Sequence, residues 1–566
     1  MKTKTLYLTL AVSALLVGCE SEPVVKIYDT IIDDGTIYDG SGGVPYVGDI
    51  ALKDDRIVKI GDLDVRLAET VIDAEGKAVS PGFINMLSWA TDSLVTDGRG
   101  LSDLVQGVTL EVFGEGWSMG PFTPESKANY QDGLNNGPQP YEVTWNTLGE
   151  YLEHLEAKGV SPNVASFVGA TTMRINHVGY EDREPTAEEL AAMKADVRMS
   201  MEEGAMGLGS SLIYAPAFYA KTDELIEMAK VVGEYDGMYI SHMRSEGNQL
   251  LESVEELITI AREGNVAAEI YHLKAGGQDN WPKMDQVYHM VENARAEGLA
   301  ITADMYTYPA GATGLNAYMP PWVQEGGYDE WAKRLQDPEI RARLAEEMKV
   351  SSNDWENLGL AAGPDGVLFA YFNNPDLKKY TGMTLAQVAA ERGTSIEETA
   401  MDLVVEDGTR VGTIYFLMSE ENTKKQLQYP WLSFGSDAGA LDPEIAKNFG
   451  SAHPRAYGNF ARVIGKYVRD EKVLTLEEAI RKLTSLPAKN LKIRERGLLR
   501  EGYYADVVVF DPATVQDHST FADPHQLSTG VNHVFVNGGH VIKDGAHTGA
   551  TPGRVVRGPG WKGWTQ

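Results

Sequence analysis

Short runs of β-branched and aromatic residues, each closed by Asp or Gly, occupy both ends of the chain. Ile27 to Ile32, Ile37-Tyr38, Gly48 to Leu52 and Arg56 to Ile60 are separated by turn residues such as Asp33-Asp34-Gly35 and Asp39-Gly40. This pattern predicts strands joined by tight turns, because β-branched side chains suit a pleated surface and Asp and Gly accept turn backbone angles. The far end repeats it in Ala505 to Asp511 and His533 to Asn537, with Asn537-Gly538-Gly539 as a turn signal. Residues 24–80 and 496–566 are therefore expected to pair into one small β-sandwich.

Between them, over 81–495, the period changes. Apolar runs such as Val164 to Val168, Met238 to Ile240, Ala267 to Tyr271 and Ala300 to Met305 alternate with amphipathic helical stretches. Thr186 with Glu189, and Thr475 with Glu478, have the spacing of helix N-terminal capping boxes. Alternating strands and helices over some 400 residues predict an α/β fold with parallel strands, specifically a (β/α)8 (TIM) barrel. Residues 323–360, with Trp331, Arg334 and Leu335, read as polar helix and break the rhythm. They are expected to form an insertion over the barrel mouth.

The first residues carry a different signal. Lys2 and Lys4 precede an apolar run from Leu6 to Val17, too short to span a bilayer comfortably, and Leu16-Val17-Gly18-Cys19 follows. Cys19 is the only cysteine, which excludes an intrachain disulfide and a Cys-rich metal cluster. Residues 1–19 resemble a lipoprotein signal peptide and lipobox with Cys19 as the lipidation site; an ordinary cleaved signal peptide is the alternative. The expectation is a protein of the bacterial periplasm or cell surface, held on the membrane by an N-terminal lipid anchor. A formal charge of −32, from 82 acidic and 50 basic side chains, repels phosphate backbones and argues against a nucleic-acid partner.

Catalytic side chains of a barrel project from the C-terminal ends of its strands. Three polar residues end apolar runs in this way: His242 after Met238 to Ser241, His272 after Ala267 to Tyr271, and Asp437 after Leu432 to Ser436. Two imidazoles and a carboxylate so placed could bind Zn2+ and activate a water. The other reading of any one of the eleven histidines is a structural role.

A chain-long series of motifs adds to this. Ser80-Pro81-Gly82-Phe83-Ile84, Gln106-Gly107-Val108-Thr109, Ser241-His242-Met243-Arg244-Ser245-Glu246-Gly247, His272-Leu273-Lys274, Ala303-Asp304-Met305-Tyr306, Gly435-Ser436-Asp437, His453-Pro454-Arg455 and Tyr504-Ala505-Asp506 occur in that order. In this the chain resembles the D-aminoacylase (N-acyl-D-amino-acid deacylase) family of the amidohydrolase superfamily. The resemblance implies a metal-bearing barrel with a β-sandwich, hydrolysing the amide of a small N-acylated D-amino acid. It implies His242 and His272 as metal ligands, and Asp437 as the residue that takes a proton from water and delivers it to the leaving amine. Lys274 and Tyr306 match substrate-carboxylate residues, and Arg174 lies in a family-like loop that could face the same carboxylate; a pairing with nearby acids is the other reading of Arg174.

Two departures stand out. The family's His-x-His is Leu87-Ser88-Trp89 here, and its Gly-Asn-Cys-Gly is Gly114-Glu115-Gly116-Trp117. One zinc per chain is expected, held by His242, His272 and Glu115, with Glu111 as the alternative third ligand. Trp89 and Trp117 are expected to fill space left by the missing ligands. Leu315, Tyr318, Met319 and Trp322, with no Lys or Arg between Tyr306 and Tyr328, suggest neutral or apolar substrate side chains. A hydrolase of another amide, or a non-catalytic binding lipoprotein, remains an alternative at this point.

Overall fold

A computed structural model describes residues 25–135, 137 and 139–565. Cys19 and the rest of residues 1–24, where the signal peptide and lipidation site are expected, lie outside the described residues. Among those described, no helix is long and apolar enough to cross a membrane.

The two chain ends share one nine-stranded sheet. Its junction is the antiparallel pair Ala78–Pro81 and Val507–Phe510, in which Val507 faces Pro81 and Phe510 faces Ala78. Tyr28–Ile37 carries the N-terminal strands on one side, and Val531–Val536 carries the C-terminal ones on the other. One apolar cluster draws on both ends, with Ile32, Ile50 and Val79 against Val507, Val509 and Phe535. Neither end can bury its own apolar face, so the sheet closes only when residues more than 400 apart in sequence meet.

The middle of the chain is α/β with parallel strands. Six run in the order Leu432–Phe434, Ile301–Met305, Ala267–Ile270, Met238–His242, Gly207–Ser211 and Val168–Gly169, and three more in the order Phe83–Asn85, Val108–Phe113 and Asn163–Ser166. The Met86 N–H donates to the Phe434 carbonyl (3.1 Å), and the Met206 N–H to the Ser166 carbonyl (2.9 Å), linking the two sets at both edges. The helices follow from their periodicity. Leu250–Gly264 buries Leu250, Val254, Leu257, Ile258 and Ala261, a stripe with three- and four-residue steps. The Ala187–Glu203 helix starts with the reciprocal Thr186–Glu189 capping box, and Thr475 caps Leu476–Leu483 with its hydroxyl.

The polar helical tract expected at 323–360 belongs to a longer excursion between Ile301–Met305 and Leu432–Phe434. Tyr328–Arg334 and Pro338–Glu347 are its first α-helices. They pack with a three-stranded antiparallel sheet in which Gly412–Phe416 lies between Ala310–Gly314 and Val367–Tyr371. The unit has its own apolar cluster, including Leu315, Val323, Leu344, Phe369 and Leu403. Its strands are five residues long and pair across gaps of roughly 40 to 100 residues, so no local period announces them.

Candidate functional site

Three side chains converge where parallel strands end. His242 is the last residue of Met238–His242, His272 lies two residues past Ala267–Ile270, and Glu115 two past Val108–Phe113. Glu115 turns inward between two glycines with positive φ, Gly114 (+109°) and Gly116 (+73°). A Cβ at 114 would stand 2.4 Å from the Phe167 carbonyl oxygen, so only glycine allows this turn. Glu115 Oε1 is 3.0 Å from His242 Nδ1 and 2.9 Å from His272 Nε2. All three residues are buried, and one ligand atom from each lies within 4.8 Å of the others. Burial works against the charge on Glu115, but the His272 and His242 imidazoles outweigh it and hold this carboxyl well below the usual range. His242 Nε2 is buried without a hydrogen-bond partner among the described residues. Two imidazole nitrogens, a carboxylate and an orphaned buried nitrogen fit a catalytic zinc site better than a self-contained polar cluster.

A second layer surrounds this group. Asp437 follows Leu432–Phe434; its Oδ1 accepts from the Trp89 indole N–H (3.1 Å), and its Oδ2 lies 2.8 Å from Arg455 Nη1. Burial raises the Asp437 carboxyl, Arg455 opposes the rise and Glu115 adds to it. Lys274 Nζ donates to Glu246 Oε1 (2.6 Å) and lies 2.8 Å from His272 Nδ1, which is itself 3.0 Å from the same Glu246 oxygen. Glu246 thus orients His272 from behind, as a carboxylate commonly does for a ligating imidazole. The Tyr306 ring is buried beside His272, with the Arg455 guanidinium 4.4 Å and Lys274 Nζ 5.7 Å from its centroid.

The structure places several sequence-predicted residues differently. Arg174 does not face the site: it is 1% exposed, its Nη1 donates to Glu224 Oε2 (2.7 Å), and its Nη2 reaches the Glu181 and Arg183 carbonyls. Its Nε makes no hydrogen bond among the described residues, but both terminal nitrogens are held by Glu224 and the two backbone carbonyls, which is the pairing with nearby acids. Lys274 is at the site, but its ammonium is paired with Glu246. Glu111 points elsewhere, accepting from Asn85 Nδ2 (2.9 Å) beside Asp103. Leu315, Tyr318 and Met319 pack into the excursion's own cluster, which removes the argument for neutral substrate side chains. Trp89 is no mere filler, because its N–H also donates to Glu115 Oε2 (2.9 Å). Trp117 is 42% exposed, so it fills the site only in part. Sequence reasoning assigned no role to Glu246 or Arg455 and only a packing role to Trp89. Glu246 and Arg455 stand inside motifs quoted above, which was the available signal; Trp89 had none beyond its replacement of a histidine.

Comparison with known proteins agrees with this geometry. The profile of the Amidohydrolase family matches residues 355–542. A D-aminoacylase of Alcaligenes xylosoxydans xylosoxydans is 32% identical over 530 residues, covering 94% of this chain and 97% of that protein. An N-acyl-D-aspartate deacylase of the same organism is 33% identical over 531 residues, covering 93% and 95%. The crystal structure of N-acyl-D-glutamate deacylase from Bordetella bronchiseptica, complexed with zinc and a phosphonate mimic of the tetrahedral intermediate, superposes with a TM-score of 0.78. It is 30% identical, with 94% of this chain and 99% of that one covered. Similarity of this extent, over a site of two histidines and a carboxylate, shows that the chain belongs to the D-aminoacylase family of amidohydrolases.

Proposed function

We propose that this chain is a zinc-dependent hydrolase of N-acyl-D-amino acids, cleaving the amide to a carboxylate and a free D-amino acid. The observation that carries this reading is the convergence of Glu115, His242 and His272 with Asp437 beside them. Glu115, His242 and His272 would hold one zinc, which when bound polarises a carbonyl and makes a neighbouring water acidic. Asp437 accepts the proton of the attacking water and passes it to the amide nitrogen as the C–N bond breaks. Its raised pKa suits both halves of that transfer. Arg455 is buried and its Nε makes no hydrogen bond among the described residues, so it offers a donor for the substrate carboxylate beside Tyr306.

The finer architecture in this reading is a (β/α)8 barrel beside a β-sandwich. Counting Asn163–Ser166 and Val168–Gly169 as one strand interrupted at Phe167, eight parallel strands ring the site, and the Met86–Phe434 bond supports closure. The leader supports a lipid-anchored enzyme of the periplasm or cell surface, which metabolic palmitate labelling tests: Cys19→Ser is expected to abolish the label and release the protein from membranes.

The function is tested with a panel of N-acetyl-D-amino acids, acidic and neutral, and their L enantiomers, on protein of measured zinc content. About one zinc per chain and turnover confined to D substrates is the expected result. No turnover of any D substrate by zinc-loaded protein overturns the reading.

A further inference from the structure

The indole of Trp89 occupies the point where two carboxylates meet. Its Nε1–H lies 2.9 Å from Glu115 Oε2 and 3.1 Å from Asp437 Oδ1, a single donor shared between two acids that would otherwise repel. The division of oxygens is complete on both sides. Glu115 turns Oε1 to the two imidazoles and Oε2 to the indole; Asp437 turns Oδ1 to the indole and Oδ2 to Arg455.

The indole is held there by backbone contacts rather than by loose packing. The Ser88 N–H donates to the Val112 carbonyl (2.9 Å), the Trp89 N–H to the Ala438 carbonyl (3.0 Å), and the Asp437 N–H to the Leu87 carbonyl (2.8 Å). The segment is therefore stitched to the ends of the strands on either side, those that deliver Glu115 and Asp437. Trp89 is 37% exposed, so the ring leaves solvent access at one face while its N–H is spent inward.

Two buried acids facing each other can be reconciled by a shared proton, by a cation between them, or by a fixed donor. Tryptophan is a donor only and carries no charge. We propose that Trp89 is a positioning residue whose indole N–H bridges Glu115 and Asp437 and so fixes the orientation of Asp437 toward the site. This rests on the zinc reading above and adds to it a role for an uncharged side chain that cannot itself be a ligand.

Trp89→Phe keeps an aromatic ring and removes the N–H. Full-length wild type and variant are dialysed to equilibrium against excess zinc, and bound metal is counted by elemental analysis alongside kcat and KM. The expected result is one zinc per chain in wild type and variant alike, with the variant's kcat at least 10-fold lower and its KM within threefold. An unchanged kcat at one zinc per chain overturns the positioning; a variant that loses its zinc overturns it too, because the indole would then be holding the metal site and not Asp437. No zinc in the wild type sinks the zinc reading itself. If Trp89→Phe fails to fold, the isosteric 3-benzothienylalanine, placed at position 89 by codon suppression, makes the same test without changing the shape.

Discussion

At the scale of single residues, His272 (φ 35°) and Asp437 (φ 50°) stand out as non-glycine residues in the left-handed region. Such backbone costs on the order of 1–3 kcal/mol each and persists where the surroundings over-determine it. Here the His272 N–H is captured by Asp304 Oδ1 (2.9 Å) and the Asp437 N–H by the Leu87 carbonyl (2.8 Å). The conformation aims each side chain back over its strand end and into the site. For Asp437 the consequence is testable. Asp437→Asn preserves size and hydrogen bonding but cannot take a proton, so kcat is expected to fall by about 10²–10⁴-fold. Zinc content should stay at the wild-type level, because the Glu115, His242 and His272 set is untouched. Steady-state kinetics with metal analysis on the same sample decides it; a near-normal kcat would remove Asp437 from the proton path.

At the scale of elements, a buried acid of the 310–418 excursion reaches the surroundings of the site. Glu356 Oε2 accepts the Glu246 N–H (2.8 Å), two links away from His272. Burial, with the Glu246 charge adding to it, pushes the Glu356 carboxyl from 4.5 up to about 8. The folded chain therefore retains a proton that the unfolded chain gives up near its ordinary value. Between those limits the native state binds more protons than the unfolded one, so this group lowers stability as pH rises from about 4.5 to about 8. Glu356→Gln removes that slope. Thermal denaturation across pH is expected to show similar Tm values for variant and wild type near pH 5, and a higher Tm for the variant above about pH 8. Parallel curves at every pH would show that Glu356 is not protonated in the fold. The same contact explains why the excursion was only partly legible. Its helices show an amphipathic period, but this contact with the site's surroundings is a carboxyl meeting a backbone N–H 110 residues away.

At the scale of the whole molecule, the metal site ties together segments that are otherwise separate. Glu115, His242 and His272 come from three different parallel strands, and their convergence buries a carboxylate and two imidazoles in one place. A cation bound there stabilises the fold by mass action, by about 2.7 kcal/mol at a free concentration 100 times its Kd. Exhaustive chelation is expected to lower the Tm by several degrees and abolish activity, and about one equivalent of zinc should restore both. Differential scanning calorimetry of the chelated and reloaded protein measures it; an unchanged Tm would mean that no metal is held by the native fold.

The order of apolar and polar residues is enough to mark His242, His272 and Asp437, because each ends a strand-like run and strand ends are where an α/β fold exposes chemistry. It is also enough to show that both chain ends are β-rich and that the middle alternates strand with helix. Periodicity reports which face of an element is buried, and a chain-long series of motifs reports kinship. Neither reports which polar atoms meet across the core. Trp89 and Asp437 are 348 residues apart, and Arg174 and Glu224 are 50 apart. An indole N–H between two carboxylates, a guanidinium turned away from the site, and an ammonium neutralised by Glu246 were decided only by the tertiary structure. Hydrogen bonds and ion pairs act over about 3 Å and take no account of sequence separation.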